Sequence, residues 1–238
     1  LEIPLVDVGI NAAGLRPGEY HGKVTISAPG APNSPQIASV ILQVLPPGSD
    51  PGPIVRPTGL IFVTPPGGGR PAAQEVLISN PTAEARTFNS SRVTVNGVDW
   101  FVQTPAQANV SPTQATRVSV LAGTTTLPAG IHRGAVTLLF ADGAVRTVNV
   151  LDIVPPAGTV FLSKGNREAA SCPSPKLVLT HMSLRPDFSA IVGQGTSIEM
   201  KAADSCGNLL IPAKGLSAAV VATFRRWFGL VVCPQPPK

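Results

Sequence analysis

Charged and aromatic residues are scarce in this chain. Only 13% of its 238 residues are charged and 5% are aromatic, and it contains three Cys and three His. No CxxC pair occurs and the His residues are scattered, so the sequence predicts no zinc site. The nucleophile-elbow motif G-x-S-x-G, the phosphate-binding loop and the D-x-D-x-D calcium loop are also missing. We therefore expect no catalytic residue, no metal site and no cofactor, and a hydrolase is only a remote alternative.

Long apolar runs and clustered charge are missing as well. No run approaches the roughly 18–20 residues that cross a bilayer, so no transmembrane segment is expected. The net charge is +5, but the basic residues are dispersed and only Arg225 and Arg226 are adjacent. A nucleic-acid partner is therefore not expected. The chain also shows no signal peptide and opens at Leu1 on strand-like sequence, which we interpret as a piece of a longer, processed protein.

Short apolar segments separated by turns are abundant. The chain contains 26 Pro and 23 Gly, and 43% of its residues are hydrophobic. Tyr20 to Ser27 alternates between two faces in the manner of a half-buried antiparallel strand. Asp142-Gly143 predicts a tight hairpin turn. Frequent short strands without a helical period predict an all-β chain of tandem immunoglobulin-like β-sandwiches.

Two stretches of the chain share a motif at an offset of 112 residues, which indicates repeated domains. The matched pairs are Leu15 and Leu127, Gly18 and Gly130, Gly22 and Gly134, Val24 and Val136, and Thr25 and Thr137. We predict a C-terminal half-sandwich at 1–47, a Pro/Gly-rich linker at 48–57, a complete sandwich at 58–156, and a partial sandwich with an irregular tail at 157–238. The first and third units are thus expected to be incomplete.

All three cysteines lie in the last third of the chain, at Cys172, Cys206 and Cys233. One interpretation is that they are free or buried thiols. The other is a Cys172–Cys206 disulfide, which would fit an oxidising compartment. The sequence leaves both open.

Trp100 is the aromatic residue that invites a functional hypothesis. Its ring could form a stacking platform for a sugar, or it could be a core residue of the sandwich, which we favour. Phe101 is its neighbour along a predicted strand from Trp100 to Gln103. Because neighbouring strand residues face opposite sides, we expect one of the two rings to be exposed.

Several motifs resemble bacterial extracellular domains. Gly14, Leu15, Gly18, Tyr20, Gly22 and the turn Asn33-Ser34-Pro35-Gln36 are similar to a recurrent bacterial surface-protein repeat. Trp100-Phe101-Val102, Arg133-Gly134 and Val136-Thr137-Leu138 make residues 58–156 resemble the BACON group of immunoglobulin-like domains, although His132 occupies the Tyr20 position. Asp204, Cys206 and Gly207 resemble a turn in an immunoglobulin-like domain of secreted soil-bacterial proteins.

These resemblances imply a secreted or cell-surface location and one of two roles. The first is a non-catalytic structural or adhesive module that acts as a spacer or interaction domain. The alternative, which the BACON resemblance implies, is a carbohydrate-binding module for glycan or mucin that uses Trp100 and Phe101. The expected partners are a glycan or a surface protein, together with other domains of the same longer chain.

Overall fold

The computed structural model describes residues 5–11, 14–27, 31–65, 69–157, 159, 176–182, 187–191, 195–207, 219–226 and 229–231. These residues form strands and connections, and no helix occurs among them. The seventeen strands are β1 Leu5–Asn11, β2 Gly18–Ser27, β3 Gln36–Leu45, β4 Ile54–Arg56, β5 Gly59–Val63, β6 Gln74–Ser79, β7 Arg86–Thr94, β8 Phe101–Thr104, β9 Gln107–Val110, β10 Thr116–Ala122, β11 Gly130–Phe140, β12 Val145–Val154, β13 Leu177–His181, β14 Asp187–Ile191, β15 Gly195–Asp204, β16 Ala219–Arg226 and β17 Gly229–Val231. The prediction of an all-β, immunoglobulin-like sandwich fold is confirmed.

The middle of the chain forms a sandwich of two sheets, here called the middle sandwich. One sheet has the order β4-β6-β10-β8 and the other β5-β12-β11-β7-β9. All neighbours are antiparallel except β5 and β12, which run parallel. Strands such as β10 alternate buried and accessible residues, because each has one face on the core and one toward solvent.

The core of the middle sandwich is continuous between its two sheets. Its largest fully buried side chains include Phe62, Phe88, Trp100 and Phe101. Phe101 lies over Gly134, where an added Cβ would be 2.6 Å from the Phe101 ring. The repeated glycine at this position therefore makes room for an aromatic ring in the core.

Strands from both ends of the chain form a second sandwich, here called the composite sandwich. Its sheets have the orders β1-β15-β13 and β14-β3-β2-β16-β17. The side chain of Asn33 also links the two ends, since it donates to the carbonyl of Leu177 at 2.9 Å and accepts from its N–H at 2.6 Å. The predicted incomplete units at 1–47 and 157–238 therefore contribute strands to the same two sheets.

The 112-residue repeat corresponds to equivalent local structure. Gly18 and Gly130 both have φ at 148°, where a Cβ would be strained. Tyr20 donates its hydroxyl to the carbonyl of Arg16 at 2.9 Å, and His132 Nε2 contacts the carbonyl of Pro128 at 2.8 Å. Histidine therefore replaces tyrosine at this corner while keeping a bond to the carbonyl four residues earlier.

The sequence missed four short strands. β4 lies in the predicted linker, β9 and β14 fall in stretches with no predicted strand, and β17 lies in the tail that we expected to be irregular. The sequence also predicts a strand from Thr159 to Leu162, which lies outside the described residues except for Thr159.

Candidate functional site between the sandwiches

The two sandwiches meet where β13 packs on the outer face of the β5-β12-β11-β7-β9 sheet. Ile61, Leu151 and Ile153 of that sheet form a buried cluster with Val178 and Ala203. The N–H of Thr58 donates to the carbonyl of Met182 at 2.6 Å. A Cβ added to Gly59 would lie 2.6 Å from Oγ1 of Thr180 and press on the carbonyl of His181. Only glycine allows β5 and β13 to approach so closely.

β13 covers only the β5 and β12 side of this outer face. On the β7 side, Val93 is 61% exposed and Val95 is 81% exposed. A cleft of about 390 Å³, here called the junction cleft, opens at the boundary between the covered and uncovered parts. Its lining includes Val93, Val95, Arg133, Asn149, Leu179 and His181. Large exposed aliphatic side chains next to a concave surface are typical of binding sites.

The charges in the junction cleft are basic. Among the described residues that line it, Arg133 and His181 are the titratable ones, and none is Asp or Glu. The His181 ring is buried, and its Nδ1 has no hydrogen-bond partner among the described residues. Burial lowers the pKa of His181 from its ordinary value of 6.5, because the charged imidazolium would lose its hydration. The cleft therefore combines an apolar wall with one permanent positive charge.

The buried His181 predicts a pH-dependent stability. Because its pKa is lowered in the folded protein, the unfolded chain binds a proton more readily as pH falls below about 6.5. The contribution of neutral His181 to the free energy of unfolding is therefore fully present above pH 6.5. It is lost as pH falls through the lowered pKa. We expect urea unfolding of wild type to show this loss between pH 7 and 5, and His181→Gln to lack it.

His21 provides the matched control for this titration. Its side chain is 46% exposed and contacts Glu19 at 2.8 Å. The His21→Gln variant should keep the wild-type pH dependence below 6.5. If His181→Gln and wild type lost stability in parallel over this interval, the assignment to His181 would be wrong.

A second buried titratable group lies inside the middle sandwich. Asp152 is 0% exposed, and its carboxylate accepts from Oγ1 of Thr64 at 2.8 and 2.9 Å. Burial raises the pKa of Asp152, while the hydrogen bond from Thr64 and the charge of His132 oppose the shift. Because Asp152 is enclosed, it anchors the connection after β5 and does not face a ligand.

Trp100 and Phe101 do not form an exposed platform. Both are 0% exposed, and their ring centroids are 4.7 Å apart at an interplanar angle of 59°. The expectation that one of them faces solvent is wrong. The reason is that β8 begins at Phe101. Trp100 therefore precedes the strand, and the alternation of side-chain direction along a strand does not apply to it. Both rings therefore enter the same core.

The predicted disulfide lies partly outside the described residues. Cys206 is disulfide-bonded, while Cys172 and Cys233 both lie outside the described ranges. Pairing of Cys206 with Cys172 therefore stays a prediction. Cys206 follows β15 in a turn in which its N–H donates to Oδ1 of Asp204 at 2.9 Å.

The structure also bears on metals and membranes. Within the described ranges, no group of three or more His, Cys, Asp or Glu side chains is arranged to hold a metal ion. No helix with the length and apolar character for crossing a bilayer occurs in these ranges.

The sequence did not single out the residues of the junction cleft for binding. In the sequence, Arg133 belongs only to a resemblance motif, and no motif contains His181. One signal for Arg133 was available, because it precedes the repeated Gly134 and so faces away from the core. The position of His181 in the cleft depends on its approach to Gly59, and no local sequence pattern predicts that approach.

Comparisons of the chain with known proteins found matches among solved structures alone. No family model matches it, and no curated protein matches it. Among solved structures, the Salmonella enterica SafA pilin in complex with the SafB chaperone matches with a TM-score of 0.39 at 12% identity, over 74% of this chain and 99% of that one. The E. coli chaperone DraB matches with a TM-score of 0.36 at 12% identity, over 66% of this chain and 86% of that one. A PapD-like domain of human CEP192 matches with a TM-score of 0.34 at 12% identity, over 43% and 84%.

Proposed function

We propose that the chain is a non-catalytic structural module of a secreted or cell-surface protein. In this role, two immunoglobulin-like sandwiches joined as a rigid unit position the junction cleft as an interaction surface. The observation that carries the proposal is the buried junction, where a glycine-mediated approach of β5 and β13 adjoins the apolar cluster around Leu151. A junction that buries apolar side chains resists independent motion of its two sides.

The segment that we predicted as a linker is held against the middle sandwich. Arg146 donates from Nε to the carbonyl of Pro53 at 2.8 Å and from Nη2 to that of Pro51 at 3.2 Å. Arg86 forms ion pairs with Asp50 and with Asp142. The N–H of Gly52, which donates to Asp50 at 2.7 Å, lowers the pKa of that carboxyl, and Arg86 adds to the effect. These contacts support a rigid connection.

Limited proteolysis tests this rigidity. We expect proteinase K to leave residues 48–53 of wild type intact while it cuts Arg146→Ala there about tenfold faster or more. The reason is that hydrogen bonds to a charged group each contribute about 1.5–3 kcal/mol, so their loss raises the population of the open linker. Mass spectrometry of the first fragments identifies the cut.

The matched control is Arg117→Ala, which removes an exposed arginine that pairs with Glu75 at 2.6 Å on the other sheet. This variant should be cut at the wild-type rate. Rapid cutting of wild type between 48 and 53 would contradict a rigid module.

Two observations bear on location and ligand. The disulfide at Cys206 supports an oxidising, extracytoplasmic compartment. The burial of Trp100 and Phe101 leaves no stacking face on either ring for a glycan. We therefore propose the junction cleft, and not these aromatic residues, as the surface that binds a partner.

A further inference from the structure

The composite sandwich has the same strand arrangement as the middle sandwich. The order β14-β3-β2-β16-β17 corresponds to β5-β12-β11-β7-β9, and β13-β15-β1 corresponds to β4-β6-β10. The directions agree as well, because β14 runs parallel to β3 as β5 runs parallel to β12, while the other neighbours are antiparallel. The composite sandwich is therefore a second copy of the same fold without a strand equivalent to β8 among the described residues.

The order of these strands along the chain differs between the two sandwiches. In the middle sandwich, the strands from β4 to β12 follow one another in sequence. In the composite sandwich, residues 177–231 supply the counterparts of the early strands and residues 5–45 supply the counterparts of the last three. The 112-residue repeat agrees with this assignment, since it aligns β2 with β11. The chain thus carries two complementary halves, separated by the whole middle sandwich.

The contacts between the halves are extensive. β1 pairs with β15 from Leu5–Lys201 to Asn11–Gly195, and β2 pairs with β16 from Ser27–Ala219 to His21–Arg225. Val24 and Ile26 of β2 are 0% exposed, and Met200 of β15 is 1% exposed. Each half alone would leave these side chains and the strand edges open, which favours pairing with any copy of the complementary half.

We propose that residues 5–45 of one copy of this chain pair with residues 177–231 of a second copy, so that the composite sandwich also forms between chains. The strand pairs and the Asn33–Leu177 bonds are the same whether the halves belong to one chain or two. Exchange of an identical element between copies costs little contact energy. The closed and exchanged forms then differ mainly in the effective concentration at which the two halves meet. When two copies exchange in this way, the pair of copies is left with one unpaired half of each kind, so further copies join head to tail.

A complementation experiment with two full-length variants tests the exchange. Val24→Asp disables the half at 5–45, and Met200→Asp disables the half at 177–231, because each places a carboxylate in a buried site. We expect each variant alone to be a monomer with a folded middle sandwich. Mixed in equal amounts, they should form a dimer by light scattering, because one supplies the intact first half and the other the intact second half.

The matched control replaces Met200→Asp with Ile26→Asp. Val24→Asp and Ile26→Asp disable the same half, so their mixture should remain monomeric. A mixture of Val24→Asp and Met200→Asp that stays monomeric would overturn the proposal.

A second measurement covers the case in which a variant aggregates. Wild-type chains carrying two different affinity tags are refolded together from urea and captured through one tag. Recovery of the second tag after joint refolding, but not after mixing of separately refolded chains, supports exchange of strands. Absence of the second tag after joint refolding overturns it. Neither outcome depends on the rigidity tested by proteolysis, so the two proposals can fail separately.

Discussion

Replacing Trp100 with alanine is expected to lower the free energy of unfolding of the middle sandwich by about 3–5 kcal/mol, the usual cost of a large aromatic truncation in a core. The residue is 0% exposed, and its ring lies against Phe101. Its indole Nε1 has no hydrogen-bond partner among the described residues. Trp100→Phe should therefore cost much less than Trp100→Ala, because it loses ring volume but no hydrogen bond.

Urea denaturation followed by far-UV circular dichroism measures these differences. Val95→Ala is the control, since a side chain 81% exposed should change stability by less than about 0.5 kcal/mol. If Trp100→Ala cost no more than Val95→Ala, the position of Trp100 in the core would be wrong. On a glycan array, any decrease in the binding of Trp100→Ala should be proportional to the decrease in the fraction of folded protein.

Replacing Gly59 with alanine is expected to open the junction between the sandwiches. The new methyl group would be 2.6 Å from Oγ1 of Thr180 and would press on a backbone carbonyl, which cannot move without shifting β13. Overpacking of this kind costs about 1–3 kcal/mol. The hydrogen bond from Thr58 to Met182 should be lost with it, so that the Thr58 amide exchanges with solvent at least about tenfold faster.

Hydrogen exchange monitored by NMR measures this effect, and Gly69→Ala is the matched control. At Gly69 an added Cβ would be 3.5 Å from the nearest atom, an ordinary contact with Pro65. We expect Gly69→Ala to leave the Thr58 amide unchanged. Equal protection of Thr58 in wild type and Gly59→Ala would show that β5 and β13 are not in the close contact described.

The sequence predicted the regular strands well because their pattern is local. β2 and β10 alternate apolar and polar residues along their length, and both became half-buried strands. β4 and β9 are only three and four residues long and are too short to show alternation. Their place in the sheets depends on pairing with β6 and β7, which a local pattern does not contain.

For a related reason, local sequence patterns could not predict the composite sandwich or the junction. β1 pairs with β15 although the whole middle sandwich lies between them in the sequence, and no sequence pattern indicates that pairing. The repeat predicts that residues 1–47 are the end of a domain, but it does not indicate which residues form the beginning of that domain. Likewise, the burial of Trp100 depended on where β8 begins, a boundary that shifted by one residue from the prediction.

The rigid connection between the middle and composite sandwiches can be measured by ¹⁵N relaxation of wild type in solution. For a rigid unit we expect a single rotational correlation time for the amides of β7 and β11 in the middle sandwich and those of β2 and β3 in the composite sandwich. In Gly59→Ala the two sets should separate. Two distinct, shorter correlation times in wild type would mean that the sandwiches tumble independently and are not one rigid unit.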